Sequence, residues 1–175
     1  MSSSAADHAP TTHKHKNFIA GTWQPETRDW LEVHSPYTRK VVGKVAQASA
    51  ADVEHALKAA ASAFDSYRYS SRYSRSRLLS NMSRGIVERK RELVHSIIEE
   101  AGKPVTLAAV EVDRAIGVFA WAAEETKRFG GEVFPPDADA SGVKFGHAWW
   151  HWVPRGVALG IGPFNFPLVR VCVFN

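Results

Sequence analysis

Between Pro104 and the Gly130-Gly131 pair, Ala108, Val112, Ala115, Phe119 and Ala123 recur at helical spacing, and this stretch constrains the fold more than any other. Residues three and four apart on a helix share a face, so the spacing predicts a helix over about 105–129 with one apolar side to be covered. Two further periodic segments precede it. Ser49 and Asp52 form a capping-box-like start, followed by Val53, Ala56, Leu57, Ala60 and Phe64. A second helix is predicted from about 74 to 101, with Leu78, Met82, Ile86, Leu93, Ile97 and Ala101 as its buried stripe and the charged 88–92 turned outward. Gly102 and Pro104 supply its C-terminal punctuation.

The flanks read differently. Residues 17–23, 30–36 and 40–45 alternate as short strands between Gly, Pro and Asp signals and predict a small meander. Residues 134–142 read as a loop. Beyond them, 143–162 reads as two extended segments broken at Pro154-Arg155-Gly156. The second, 157–161, is a short apolar run between glycines, the pattern of a strand buried on both faces. Residues 1–16 are polar and aperiodic and predict a disordered arm. Strands and helices in this order give an α/β class, and the 175 residues suggest one domain, or one and a half.

Composition excludes some functions. Lys plus Arg number 22 against 18 Asp plus Glu, and an excess so small and dispersed argues only weakly for a nucleic-acid partner. A single cysteine, Cys172, rules out an internal disulfide framework and fits a reducing compartment, the cytoplasm. No apolar run is long enough to cross a bilayer, and the N-terminus lacks the apolar core of a secretory signal.

Several patterns invite a chemical reading. In 66–77 arginine alternates with tyrosine and serine, which suits RNA, with Arg on phosphates and Tyr under bases. The competing reading is a connector between two helices. His13 and His15 could hold a metal loosely. His147 and His151 have helical metal spacing, but on a strand they would lie about 13 Å apart. No metal site is therefore expected, and Trp149, Trp150 and Trp152 read as an interface or core face. Glu99, Glu100, Glu111, Glu124 and Glu125 all read as solvated helix charge. Cys172 reads as a small buried hydrophobe. Gly156, Gly160 and Gly162 bracket the apolar run like the entry to a nucleotide site, without the dinucleotide fingerprint. Asn165 stands in "GPFNFPL" between Pro163 and Pro167. Its neutral amide could stabilise an oxyanion from a restrained backbone, or it could satisfy local backbone groups in a turn.

The segments "NFIAGTW", "HSPYTRKVVGKVAQASAADVEHALKAAASAF", "EEAGKP" and "VPRGVALGIGPFNFPL" resemble, in order and spacing, the N-terminal part of NAD(P)-dependent aldehyde dehydrogenases. "GPFNFPL" matches the family's P-[WF]-N-F-P signature. The resemblance implies that Asn165 belongs to the oxyanion hole facing the thiohemiacetal formed by a catalytic cysteine. It implies that Ile161, Gly162, Pro163 and Phe164 line the nicotinamide end of an NAD or NADP site. Residues 17–142 would then be part of the cofactor-binding domain, 143–155 part of an oligomerisation arm, and 156–168 the first strand of a Rossmann-like sheet with the signature. Residues 169–175 diverge from the family, and neither its glutamate base nor its nucleophile follows. Cys172 comes too early to be that nucleophile. The resemblance thus implies an incomplete fragment, inactive alone, of an enzyme that oxidises aldehydes and assembles as a homo-oligomer. The alternative is a non-catalytic module that associates with a full-length homologue. Neither nucleic acid nor membrane is expected as a partner.

Overall fold

In the computed structural model, which describes residues 13–25, 29–137 and 146–169, the core gathers on one long helix. Counting helices in chain order, that helix is α4 (Val105–Arg128), and Ala108, Val112, Ala115, Phe119 and Ala123 are all buried on one face. The predicted stripe is thus the observed one. Its alanines let neighbouring helices approach closely, while Phe119 fills the gap between them. Burying a side chain of that size contributes roughly 1.5–3 kcal/mol.

Two helices cover the stripe. Expected as one helix over 74–101, they are α2 (Arg72–Glu88) and α3 (Lys90–Ala101), divided at Arg89. The Arg89 N–H closes α2 on the Gly85 carbonyl at 3.3 Å, while its own carbonyl opens α3 by accepting from Leu93 at 3.0 Å. Apolar periodicity reports which face is buried, and it is blind to a one-residue break in the ladder. The stripe on α2 is also shifted. The expected Ile86 packs against α4, but Leu78 and Met82 are exposed, and Leu79 and Ser83 face α4 in their place. Ser83 meets the cost of burial by donating to the Ile116 carbonyl at 3.0 Å. On α3 the expected Leu93, Ile97 and Ala101 do pack against Ala108 and Val112.

Helix α1 (Ala50–Tyr67) starts on the predicted capping box. Ser49 Oγ accepts the Asp52 N–H at 3.2 Å, and Asp52 Oδ2 accepts the Ser49 N–H at 2.8 Å. No residue of α1 is buried, and Val53 and Leu57 remain 52% exposed.

The expected meander is two separate sheets. Strands β2 (Phe18–Ile19) and β3 (Thr22–Trp23) form a hairpin, turned by Ala20 and Gly21 at φ 53° and 79°. Two positive φ values in a two-residue turn match the twist of the flanking strands. Strands β4 (Trp30–His34) and β5 (Val41–Ala46) pair antiparallel. On the other edge of β5 lies β1 (His13–His15), running parallel to it. The arm expected to be disordered over 1–16 therefore contains a strand, its residues 1–12 lying outside the described ones. Side-chain polarity misled here because an open strand edge recruits backbone groups whatever side chains they carry.

After α4, β6 (Gly131–Phe134) pairs antiparallel with β7 (Ala148–His151). The tryptophan segment was expected to be extended, but β6 was not expected at all. A Cβ at Gly131 would collide with the Trp150 carbonyl, so glycine permits this close pairing. The strand expected over 157–161 is not formed: no described residue pairs with it, and Leu159 is 84% exposed. An apolar run becomes a strand only where a neighbour completes its ladder. Among the described residues, no helix is long and apolar enough to cross a membrane.

Candidate functional site

Two distant segments meet against α4. The first is the tight link between α3 and α4. Gly102 closes α3 in the left-handed region, at φ 65° and ψ 23°, with its N–H on the Ile98 carbonyl. A Cβ there would stand 2.7 Å from Pro36 Cγ, so both backbone angle and space call for glycine. Lys103 follows and turns inward. Its ammonium pairs with Glu111 and lies 4.1 Å from the centroid of the Phe166 ring.

The second segment is "GPFNFPL". Its residues 164–165 form a turn, and a helical turn begins at 167. Leu168 anchors it twice. Its side chain packs against both core clusters of α4, and its N–H donates to Glu111 Oε1 at 3.0 Å. The first amides of a helical turn have no partner within the turn, and a carboxylate complements them in both hydrogen bonding and dipole. Here that carboxylate comes from another helix.

Glu111 is 1% exposed, with Oε2 on Lys103 and Oε1 on Leu168. A carboxylate so buried persists only when paired and hydrogen-bonded. The expectation that Glu111 is a solvated helix charge is therefore corrected. The signal was available, since Glu111 lies three residues after Ala108 and next to Val112, inside the apolar stripe. The other glutamates behave as expected: Glu99 lies near His95, Glu124 pairs with Lys127 and Glu125 with Arg128, all partly exposed.

Asn165 stands on the outer side of this anchored turn, exposed, between half-buried Pro163 and Pro167. Its amide makes no hydrogen bond to any described residue, so the turn-satisfying role left open by the sequence is not the one it plays here. Ile161, Gly162 and Phe164 are exposed beside it, Phe164 at 91%. The four residues 161–164 thus form an open, largely apolar edge leading to an amide that no described residue engages.

The remaining candidates fall elsewhere. His151 stacks on Trp149 at 5.2 Å, and among the described residues no three His, Cys, Asp or Glu side chains gather as metal ligands. Cys172 lies outside the described residues. The basic segment 66–77 is the end of α1, a short link and the start of α2, with Ser71 capping the Ser74 N–H at 3.1 Å. The carboxylates held below their usual range lie away from the turn: Glu32 through Lys44, Asp52 through Ser49, Glu92 through Arg89 and Glu124 through Lys127.

The profile of the aldehyde dehydrogenase family matches residues 23–173. The chain is 32% identical over 158 residues to succinate-semialdehyde dehydrogenase [NADP(+)] 2 of Schizosaccharomyces pombe, covering 89% of this chain and 31% of that protein. It is 34% identical over 167 residues to the mitochondrial acylating methylmalonate-semialdehyde/malonate-semialdehyde dehydrogenase of Rattus norvegicus, covering 95% and 30%. Aldehyde dehydrogenase 21 of Physcomitrella patens, solved with the product succinate, superposes with a TM-score of 0.86 at 33% identity, over 93% of this chain and 34% of that one. NADP-dependent glyceraldehyde-3-phosphate dehydrogenase of Bacillus halodurans, solved with NADP, gives 0.85 at 25% identity, over 92% and 34%. The chain thus spans about a third of the length of the proteins it matches.

Proposed function

The chain belongs to the aldehyde dehydrogenase family, and from that premise we propose that Asn165 is an oxyanion donor in the NAD(P)-dependent oxidation of an aldehyde to a carboxylate. One observation carries this reading. The Asn165 amide has no hydrogen-bond partner among the described residues, while the turn that holds it is tied to the core by Glu111 and Leu168. A donor fixed before reaction needs no reorganisation when the carbonyl oxygen takes up negative charge. Pro163 and Pro167 restrict the backbone on both sides, and Lys103 steadies the Phe166 ring between them.

The open edge at 161–164 fits a flat, weakly polar ring: Ile161 and Phe164 offer apolar surface, and Gly162 leaves no side chain in the way. NAD(P), when bound, accepts the hydride. The part of these residues is to shield and orient that ring beside the reacting carbon. The nucleophile is not assigned to any residue here, so on this reading the 175 residues alone do not turn over. Residues 17–142 and 156–168 are parts of the cofactor-binding domain, and 143–155, carrying Trp149 and Trp150, is part of an arm through which copies associate. We place the protein in the cytoplasm, in keeping with its single cysteine.

The test has two arms. The chain is first assayed with NAD, NADP and succinate semialdehyde, the substrate named for its fission-yeast relative. Residues 1–168 are then joined to the downstream two-thirds of that relative. The reading expects no reduced cofactor in the first arm and turnover in the second. Turnover by the chain alone overturns the division of labour, and a folded but inert chimera overturns the assignment of the turn.

A second reading is favoured by the exposed apolar surface at Val157, Leu159, Ile161 and Phe164. On it, the chain is a non-catalytic module that docks on a full-length homologue. Co-purification with such a homologue from the same cell, without gain of activity, is its distinguishing result.

A further inference from the structure

Four arginines, Arg68, Arg72, Arg75 and Arg155, line one cleft of about 380 Å³. No carboxylate lines it, and none of the four forms an ion pair among the described residues. Like charges converging on one concave surface repel, and a bound anion relieves that repulsion. Two of the four are already oriented. Arg75 donates to the Ser70 carbonyl, and Arg68 lies over the Phe64 and Tyr69 rings at 5.1 and 5.3 Å. Arg72 and Arg155 are exposed and make no hydrogen bond among the described residues, so their guanidiniums are available. Arg72 is also the first residue of α2, a helix of 17 residues whose positive end adds to the field there.

The same cleft offers flat apolar faces. Phe129 and Trp152 stack at 5.2 Å with 22° between their planes, and Trp152 is still 58% exposed. Tyr67 joins them on the wall. Arginines beside exposed rings suit a ligand that is anionic at one end and aromatic at the other. The volume is at the small end of ordinary ligand sites and takes one such unit, not a strand with successive phosphates.

We propose that this cleft binds a nucleoside monophosphate or diphosphate, with its phosphate on Arg72 and Arg155 and its base against Trp152. The arginine-tyrosine segment at 66–77 thereby gains a role that neither a plain connector nor an RNA-binding strip describes. The cleft shares no residue with the turn carrying Asn165 and does not rest on the function proposed for it.

Calorimetric titration of the 175-residue chain with AMP, adenosine and inorganic phosphate tests this. AMP is expected to bind more tightly than either half. The double variant R72Q/R155Q is expected to weaken AMP and phosphate about tenfold or more while sparing adenosine. Trp152→Leu is expected to weaken AMP and adenosine while sparing phosphate. All three positions are exposed, and circular dichroism checks that the variants fold. The proposal is overturned by no AMP binding at millimolar concentration, or by AMP affinity unchanged in both variants. It is equally overturned if Phe164→Ala, and not these variants, abolishes binding, which places the nucleotide at the 161–164 edge. A single-stranded oligonucleotide binding more tightly than AMP, with steep salt dependence, overturns it in favour of nucleic acid.

Discussion

Glu111 accepts the backbone N–H of Leu168 at 3.0 Å, joining α4 to the "GPFNFPL" turn across 57 positions of sequence. Because the same carboxylate also holds Lys103, removing either charged partner strands the other in the core. Glu111→Leu leaves the Lys103 ammonium, 16% exposed, without its counter-charge and is expected to cost about 3–5 kcal/mol in urea unfolding. Glu111→Gln keeps an acceptor for Leu168 and should preserve that amide's protection from hydrogen exchange better than Glu111→Leu does. Equal stability of Glu111→Leu and the parent chain contradicts the role given to the pair.

Acid should loosen α1 through its capping box. The Asp52 carboxyl is held below the usual range, first by the Ser49 N–H and then by the Ser49 hydroxyl. A group with a depressed folded pKa contributes its stability above its unfolded value, about 3.9 for Asp, and loses it as pH falls through the folded value. Helicity at 222 nm should therefore fall at the acid end, and the Asp52→Asn variant should lack that component of the fall. Ser49→Ala should cost about 1 kcal/mol at neutral pH.

Gly102→Ala is expected to destabilise twice over. The left-handed backbone at φ 65° costs a residue with a Cβ about 1 kcal/mol, and the new methyl meets Pro36. Since Lys103 follows directly, the variant should also weaken the Glu111 pair. A melting temperature lowered further than by Gly117→Ala, where a helical glycine has open space, is the expected result.

The exposed apolar run should make the chain self-associate. Val157, Leu159, Ile161 and Phe164 are between 49% and 91% exposed, and large apolar side chains grouped in one short segment favour association. Leu159→Asp with Ile161→Asp should shift sedimentation toward monomer without loss of helix. An unchanged distribution assigns the association to another surface.

Local rules explain which parts of this architecture were legible in the sequence. The Ser49–Asp52 box, the Gly102 cap and the α4 stripe each depend on residues within a few positions of one another, and each was read correctly. The pairing of β1 with β5, the strand at 131–134 and the break at Arg89 depend on backbone partners or a single changed dihedral, to which side-chain periodicity is insensitive. The site was half legible. The candidate segment 162–168 stood out through its match to the signature, whereas Glu111 was classed by its charge when its phase on the helix already pointed inward. Lys103 drew attention only as part of Gly-Lys-Pro, because its ring contact with Phe166 spans 63 positions, the difference between residue numbers 166 and 103. For the run at 157–161, apolarity was read as a buried strand, yet burial and pairing both require neighbours that the described residues do not supply.

The most direct measurement is the turnover of the chimera that carries residues 1–168, compared with the same chimera bearing Asn165→Ala. An oxyanion donor acts on the transition state, so the account predicts kcat lowered by about 10²–10³ with KM for the aldehyde nearly unchanged. A kcat equal to that of the parent chimera, with the variant folded, contradicts the central claim that the anchored Asn165 amide is what this turn presents to the reaction.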